Sequence, residues 1–583
     1  MNNRYAALPC RLWSVIVGRS NLYYAPRFPL MVDKFIAHVK KNYDESWAEP
    51  HSLKEHLIGT SILSKKFSEK FDSGPWGEII GLLHDLGKGR TEWQKYLRVK
   101  SGYDENASLE NIKGKLKHAI YGAKFAEQTF GIKIGRILGY SISGHHTGIP
   151  NWSPFGGRYI QSSLQLQYQN FNSKSLDEID DSILNLVKIT KFDGVPPRKF
   201  ENEGVDFSLW IRMLYSSLVD ADFLDTELYM DSNKSTARGG YKSLSDLYQS
   251  FRQYIKELES NSDKRKINQW RKEIRLMCVE KAKNPPGIFS LTVPTGGGKT
   301  LSSLSFAMEH VNVHKMDRII YVIPYTSIIE QNADVLKKIL GSDQVIEHHS
   351  NIDEEDSTFR SRLATENWDA PLIVTTSVQF FESLFSSKPS RCRKLHNIVN
   401  SVVILDEAQL LPVKFLQPIL NVMNLLTKYY HVTFVISTAT QPAFKVRDVN
   451  GNKFEGLQNV IEIVKDVKEL ENNFKRVEIK FPENFNVNYT WEQTAEELKK
   501  YKQVLCIVSD RGSCRQLYEL MPHEGTFHLS ALMCGERSLR GSHKYSLSCF
   551  LCSSQYSDRW LCWGIKNNNF TKPFQSAFSI TST

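Results

Sequence analysis

Two adjacent pairs carry residue types suited to metal chemistry: His84-Asp85 in "GLLHDLGKG" (81–89) and His145-His146 in "SGHHTGIP" (143–150). His56, His118 in "KLKHAIYGA" (115–123) and the acids of "SLVDADFLDTE" (217–227) add more imidazoles and carboxylates. Each sits in or beside text that reads as helix. Imidazoles and carboxylates gathered in a helical cage suit first-row divalent ions. Taken alone, "GLLHDLGKG" also reads as a helix ending at its glycine cap, with His84 semi-buried and Asp85 a surface charge. The recurrence of paired ligand types favours the metal. Asp220 and Asp222 are two apart, so on a helix they point about 200° from each other and only one can face the cage. Mn²⁺, Fe²⁺, Ni²⁺, Co²⁺ and Mg²⁺ all fit such donors, and several imidazoles argue for an ion softer than Mg²⁺.

A second chemistry lies in "VPTGGGKT" (293–300), between an apolar run and helical text. In a strand–loop–helix setting, Thr295, Gly296, Gly297 and Gly298 let backbone N–H groups cradle phosphates. Lys299 reaches the β- and γ-phosphates of ATP, and the Thr300 hydroxyl ligates Mg²⁺. Val293 stands where the strict pattern has its first glycine. About a hundred residues on, "VVILDEAQ" ends an apolar run with Asp406-Glu407. An acidic pair at a strand's C-terminal end can hold Mg²⁺ and polarise an attacking water.

These groups need elements to position them. Residues 31–255 read as helical: Leu53/Leu57, Ile58/Ile62 and Leu63/Phe67/Phe71 recur at four-residue spacing. Residues 256–285 are charged, run on to Pro-Pro-Gly and read as a helical linker. Beyond them come short apolar runs: "GIFSLTVP", "RIIYVIP", "PLIVTTS", "SVVILDEA" and "VTFVISTAT". Such runs alternating with helical text predict a parallel sheet covered on both faces. "QVLCIVSD" near Gln503 opens a second α/β lobe. The 583 residues, with 24% charged and a net charge of +10, fit several globular domains and suit a polyanionic partner. Nine cysteines make no disulfide framework and fit a reducing cytoplasm. No apolar run reaches a membrane span, and no signal peptide is evident. Residues 1–30 read as an extension without a role in the chemistry, with Met31 a normal start.

In order, Val293–Thr300, "PYTSIIEQ" (324–331), "TTSVQFFE" (375–382), "DEAQ" (406–409) and "STAT" (437–440) resemble the motifs of superfamily 2 helicases. "VPTGGGKT", "EHHSN" and "DEAQLLP" look closer to the CRISPR-associated nuclease–helicases of type I systems, and the histidine set resembles their HD nuclease domain. The resemblance implies a multidomain chain, an all-α HD domain followed by α/β RecA-like helicase lobes, the second incomplete. It implies ATP-driven translocation on single-stranded DNA, with "PYTSIIEQ" and "TTSVQFFE" on the DNA backbone. A metal-dependent nuclease would cut a displaced strand presented by the RNA-guided Cascade complex. On this match His56, His84, Asp85, His118, His145, His146 and Asp222 ligate one or two metals, with Asp85 the natural bridge. The family's "ADW" lines up with Ala221-Asp222-Phe223, which places Asp222 ahead of Asp220. His51 falls outside the "EHL" match. Lys88 fits "HDxGK" and either steadies a phosphate or caps the helix end. His348 and His349 read as structural.

The resemblance divides the chain into 1–30, an HD domain over 31–255, the linker 256–285, helicase lobe one over 286–475, the start of lobe two over 476–534, and an aberrant tail over 535–583. The tail lacks the arginine motif Q-x-x-G-R-x-x-R and strand–helix alternation, as a shifted reading frame would. A rival is a zinc site of Cys549, Cys552, Cys562 and Cys534 or His543. A motor without its arginines would work poorly, leaving three alternatives: an ATP-independent nuclease, a non-catalytic remnant, or an HD nucleotide phosphatase.

Overall fold

Ser52 starts the first long helix: its hydroxyl accepts from the Glu55 N–H, satisfying one of the free donors of the helix N-terminus. The computed structural model describes residues 35–104, 116–154, 163–201, 204–324, 326–349, 358–439, 444, 446–449, 452–475, 489–501, 504–522, 524–529 and 549–553. The chain forms two units. Unit one holds the described residues up to Lys242 together with 358–370 and 382–400; unit two holds the rest.

Unit one is helical. A short antiparallel pair, β1 (Ile36–His38) and β2 (His51–Ser52), precedes α1 (Leu53–Glu69), α2 (Gly74–Leu83), α3 (Thr91–Ser101) and α4 (Ala119–Gly144). Then follow α5 (Leu164–Gln169), α6 (Asp181–Lys188), α7 (Val205–Met230) and α8 (Ser232–Thr236). The core is built on Trp76, Ile79, Ile80, Leu83, Trp210 and Leu218, all buried. Trp210 Nε1 donates to Ser73 Oγ at 2.9 Å. Leu53 and Leu57 are buried as expected, but Ile58 and Ile62 are 37% and 58% exposed. The face of α1 that meets α2 carries Ser61, Ser64 and Ser68 instead. A Cβ on Gly81 would lie 2.4 Å from the Ser61 Cα, and one on Gly77 2.5 Å from the Ser64 carbonyl. Small residues on both sides therefore let the two helices touch backbone to backbone. Helix α4 breaks at Gly131, whose φ of +81° is costly for other residues.

Unit two begins earlier than the expected boundary at 255. Helices α9 (Leu244–Asn261) and α10 (Lys266–Lys281) are part of it. Leu247, Tyr248, Phe251, Ile274 and Cys278 join its apolar core, and Tyr248 donates to Glu309 Oε2 at 2.6 Å. Residues 256–285 are thus helical but packed, not a linker. Next come β3 (Ile288–Thr292), α11 (Lys299–His314), β4 (Arg318–Ile323), α12 (Thr326–Leu340) and β5 (Val345–His348). Helix α13 (Phe359–Asn367) belongs to unit one, and β6 (Leu372–Thr376) and the start of α14 (Ser377–Phe385) to unit two. Helix α15 (Pro389–Cys392) is again part of unit one. The segments 358–370 and 382–400, expected within helicase lobe one, therefore fold with the helical unit.

β7 (Ser401–Asp406), α16 (Leu416–Tyr429), β8 (Thr433–Thr438), the pair β9 (Arg447–Val449) and β10 (Asn452–Phe454), β11 (Ile461–Glu462) and α17 (Val467–Asn473) follow. Among the described residues seven strands make one all-parallel sheet, ordered β11-β3-β8-β7-β4-β6-β5. The five apolar runs are its five inner strands. The edge strands β5 and β11 are short and carry Glu347, His348 and Glu462, so no apolar run marks them. The last part comprises α18 (Trp491–Leu498), β12 (Val504–Val508), α19 (Arg511–Glu519), β13 (Thr526–Leu529) and β14 (Cys549–Ser553). β14 lies between β12 and β13, parallel to both. The 535–583 segment thus contributes a sheet strand where none was expected. Residues 1–30, Cys534, His543 and Cys562 lie outside the described residues. No helix among the described residues is long and apolar enough to cross a membrane.

Candidate functional site

In unit one α1, α2, α4 and α7 bring together the predicted ligands. Asp85 follows the C-terminus of α2 and is buried. Its Oδ2 lies 3.3 Å from His56 Nε2 and 3.5 Å from His84 Nε2. Its Oδ1 lies 3.1 Å from His118 Nε2 and 3.3 Å from His145 Nε2. His118 Nε2 is 2.9 Å from His146 Nε2, and Asp222 Oδ1 is 3.5 Å from His56 Nε2 and 3.6 Å from His84 Nε2. Asp85, His118, His145 and His146 offer donor atoms within 4.8 Å of one another; so do His56, His84 and Asp85, and His84, His145 and Asp222.

The donor set fits divalent metals because its outer contacts aim it. His56 Nδ1–H donates to Asp225 Oδ2 at 2.7 Å, His84 Nδ1–H to the Gly81 carbonyl at 2.8 Å, and His145 Nδ1–H to the Ile142 carbonyl at 2.7 Å. Each fixes its ring so that Nε2 is turned toward the cluster, the way hydrogen-bonding partners orient the imidazoles of metal sites. Asp85 Oδ1 and His145 Nε2 are buried without a hydrogen-bond partner, an arrangement that a cation would satisfy.

Charge at the site is polarised. Burial pushes the Asp85 carboxyl up, but the Lys88 ammonium and the His84 and His118 imidazoles outweigh it and hold Asp85 well below the carboxylate range. Burial likewise opposes ionised Asp222, and His84 and His56 overcome it. Burial disfavours protonated His56, yet Asp225 and Asp85 raise it to about 9. Burial and the neighbouring His145 hold His146 down to about 3, so it stays a neutral donor.

The glycines of "GLLHDLGKG" pack rather than cap. His84 itself caps α2, and a Cβ on Gly87 would lie 2.4 Å from the His118 carbonyl. Lys88 does not cap the helix either. It is buried, with Nζ 2.6 Å from Asp85 Oδ2 and 3.4 Å from His38 Nε2. Asp220 faces away from the cluster: its Oδ1 accepts from Arg393 Nε at 2.7 Å and its Oδ2 from Asn367 Nδ2 at 3.0 Å. His51 stands beside the site, 3.3 Å from His38 Nδ1 and 3.7 Å from Asp225 Oδ2. Asp225 was missed as an orienting group. Its spacing three residues after Asp222, one face of a helix, is the signal that finds it. His38 has no such signal in the local pattern.

In unit two the phosphate loop joins β3 to α11. Gly296 and Gly298 both have φ of +82°. Val293 is buried, its N–H donates to the Thr438 carbonyl at 3.1 Å, and its side chain fills the space beside Gly297, where a Cβ would clash at 2.4 Å. Lys299 Nζ pairs with Glu407, and Thr300 Oγ1 donates to Asn332 Oδ1 at 3.4 Å. Asp406 ends β7; burial raises its carboxyl despite Lys299. Glu407 adopts a left-handed φ of +48°, unusual for a non-glycine and a form of strain found at functional sites. Thr295 is exposed on the loop. Tyr325 of "PYTSIIEQ" and Thr440 of "STAT" lie outside the described residues.

Residues 273–449 match the DEAD/DEAH box helicase family. The CRISPR-associated nuclease/helicase Cas3 of Haloferax volcanii is 31% identical over 484 residues, covering 70% of this chain and 50% of that protein. The chain spans about half the length of the curated relative it matches. Solved structures of T. fusca Cas3 share its fold. The ADP form has a TM-score of 0.54 at 14% identity, covering 91% of this chain and 70% of that one. The AMPPNP form has a TM-score of 0.56 at 15% identity, covering 89% and 70%.

Proposed function

The chain is a homologue of the CRISPR-associated nuclease/helicase Cas3, and we propose that it is an ATP-dependent DNA helicase joined to a metal-dependent nuclease that cuts single-stranded DNA in type I CRISPR interference. The nuclease half rests on one observation above the others. Each carboxylate oxygen of Asp85 faces two imidazole nitrogens, so one buried residue links two donor groups. His56, His84, Asp85, His118, His145, His146 and Asp222 would hold one or two ions such as Mn²⁺, Fe²⁺, Ni²⁺ or Co²⁺. When bound, these would supply charge neutralisation at a scissile phosphate and an activated water. Asp225 and the Gly81 and Ile142 carbonyls fix the imidazoles in orientation. Lys88 adds a buried positive charge beside Asp85, suited to steadying a phosphate oxygen.

For the motor, the Gly296–Gly298 loop receives the phosphates of ATP. Lys299 exchanges its Glu407 partner for the β- and γ-phosphate oxygens. Thr300 and Asp406 would hold Mg²⁺, and Glu407, released from Lys299, orients the attacking water. "PYTSIIEQ" and "TTSVQFFE" contact the DNA backbone, and the RNA-guided Cascade complex presents the displaced strand. The reading is tested by metal-dependent degradation of single-stranded DNA. Asp85→Ala should abolish it while ATP binding persists; undiminished cleavage would overturn the site.

A further inference from the structure

The first turns of α10 reach into the phosphate loop. Arg271 Nε and Nη2 both donate to the Gly296 carbonyl, at 2.9 and 2.7 Å. Its Nη1 donates to Asn268 Oδ1 at 3.2 Å, and Asn268 Nδ2 donates to Asp263 Oδ1 at 2.6 Å. All three guanidinium nitrogens are therefore engaged, with the fork aimed at one loop carbonyl. The aliphatic part of Arg271 lies 3.6 Å from where a Cβ on Gly298 would stand. Beside it Trp270 packs on Phe474, with ring centroids 5.4 Å apart, and the Phe474 ring lies 3.6 Å from the Cβ position of Gly297.

Three successive glycines give the loop more backbone freedom than any other sequence would, and that freedom must be lost when phosphates bind. A planar, permanently charged fork held at its far side removes part of that freedom beforehand. We propose that Arg271 is a positioning residue for the nucleotide: by gripping the Gly296 carbonyl it preorganises the phosphate loop for a polyphosphate, with the Trp270–Phe474 pair backing the loop. Arg271 acts through the loop and touches no nucleotide atom itself. The assignment rests on the ATP-binding reading of "VPTGGGKT". It gives residues 263–271 a part in the nucleotide site.

The test is equilibrium binding of ATP and ADP to the full chain and to Arg271→Ala, Arg271→Lys and Lys299→Ala, with melting temperatures alongside. Arg271→Ala should weaken ATP and ADP alike by about tenfold or more, as loss of charge-assisted hydrogen bonds would, at an unchanged melting temperature. Millimolar ethylguanidinium should restore binding to Arg271→Ala. Arg271→Lys, which cannot form the fork, should stay weak. Wild-type affinity in Arg271→Ala, with binding lost in Lys299→Ala, overturns the proposal and leaves the ATP-binding reading standing. A loss that tracks a lowered melting temperature and resists ethylguanidinium also overturns it. A wild-type chain that binds no ATP overturns both.

Discussion

Asp220 and Asp222 sit two residues apart on α7 and face opposite ways: Asp222 Oδ1 lies 3.5 Å from His56 Nε2, while Asp220 Oδ1 lies 2.7 Å from Arg393 Nε. One helix thus serves two purposes. One face, with Asp222 and Asp225, borders the histidine cluster. The other, with Asp220, anchors the segments carrying Asn367, Arg393 and His396 within the same unit.

The two aspartates should therefore fail differently. Asp220→Ala takes one carboxylate from the buried Arg393, which keeps Glu366, and should cost about 1–3 kcal/mol of stability. Asp222→Asn should leave stability near wild type and abolish metal-dependent cleavage. Chemical denaturation and a single-stranded DNA cleavage assay separate the two. Equal destabilisation by both would contradict the division of α7.

Gly59 makes room for the carboxylate that aims His56. A Cβ there would stand 2.0 Å from Asp225 Oδ1. Gly59→Ala should displace Asp225 and lower Mn²⁺ affinity by about 10–100-fold, as loss of an orienting partner does. Asp225→Ala should do the same. Titration calorimetry with Mn²⁺ checks this, and unchanged affinity in both variants would rule out the orienting role.

Lys394 supplies a pH test away from the cluster. Burial, then the charges of Arg393 and Arg391, lower its ammonium to about 8. Because the folded value lies below the ordinary 10.5, the folded state disfavours the charged form. The penalty is fully present below pH 8 and fades as pH rises toward 10.5. Lys394→Met should stabilise the fold at pH 7 by up to roughly 3 kcal/mol, and the gain should shrink between pH 8 and 10. A gain that grows over that range would refute it.

The inner strands of the sheet were legible because strands covered on both faces are continuous apolar runs. The edges β5 and β11 were not, since polar residues are tolerated there. The cluster was legible from His84-Asp85 and His145-His146, and helical geometry dictated that only one of Asp220 and Asp222 could join it. Arg393 takes up the other, a partner 173 residues away that no local pattern reveals. The charged outer face of α10 disguised its narrow apolar stripe, Ile274 and Cys278, as a linker, and α9 read as a continuation of the helical domain although its Leu247 and Phe251 join the same core as α10. On α1, serines rather than apolar residues mark the buried face, because the close approach of α2 leaves room for little else.

The central claim is that Asp85 ties two groups of imidazoles into one metal-dependent cutting site. The direct measurement is cleavage of single-stranded DNA by the wild-type chain and by Asp85→Ala across Mn²⁺, Fe²⁺, Co²⁺ and Ni²⁺, with ATP binding followed in parallel. Cleavage by the wild type with at least one ion, absent in Asp85→Ala while ATP binding is kept, is the predicted result. Cleavage by Asp85→Ala at the wild-type rate, or a wild-type chain inert with every ion, would contradict it.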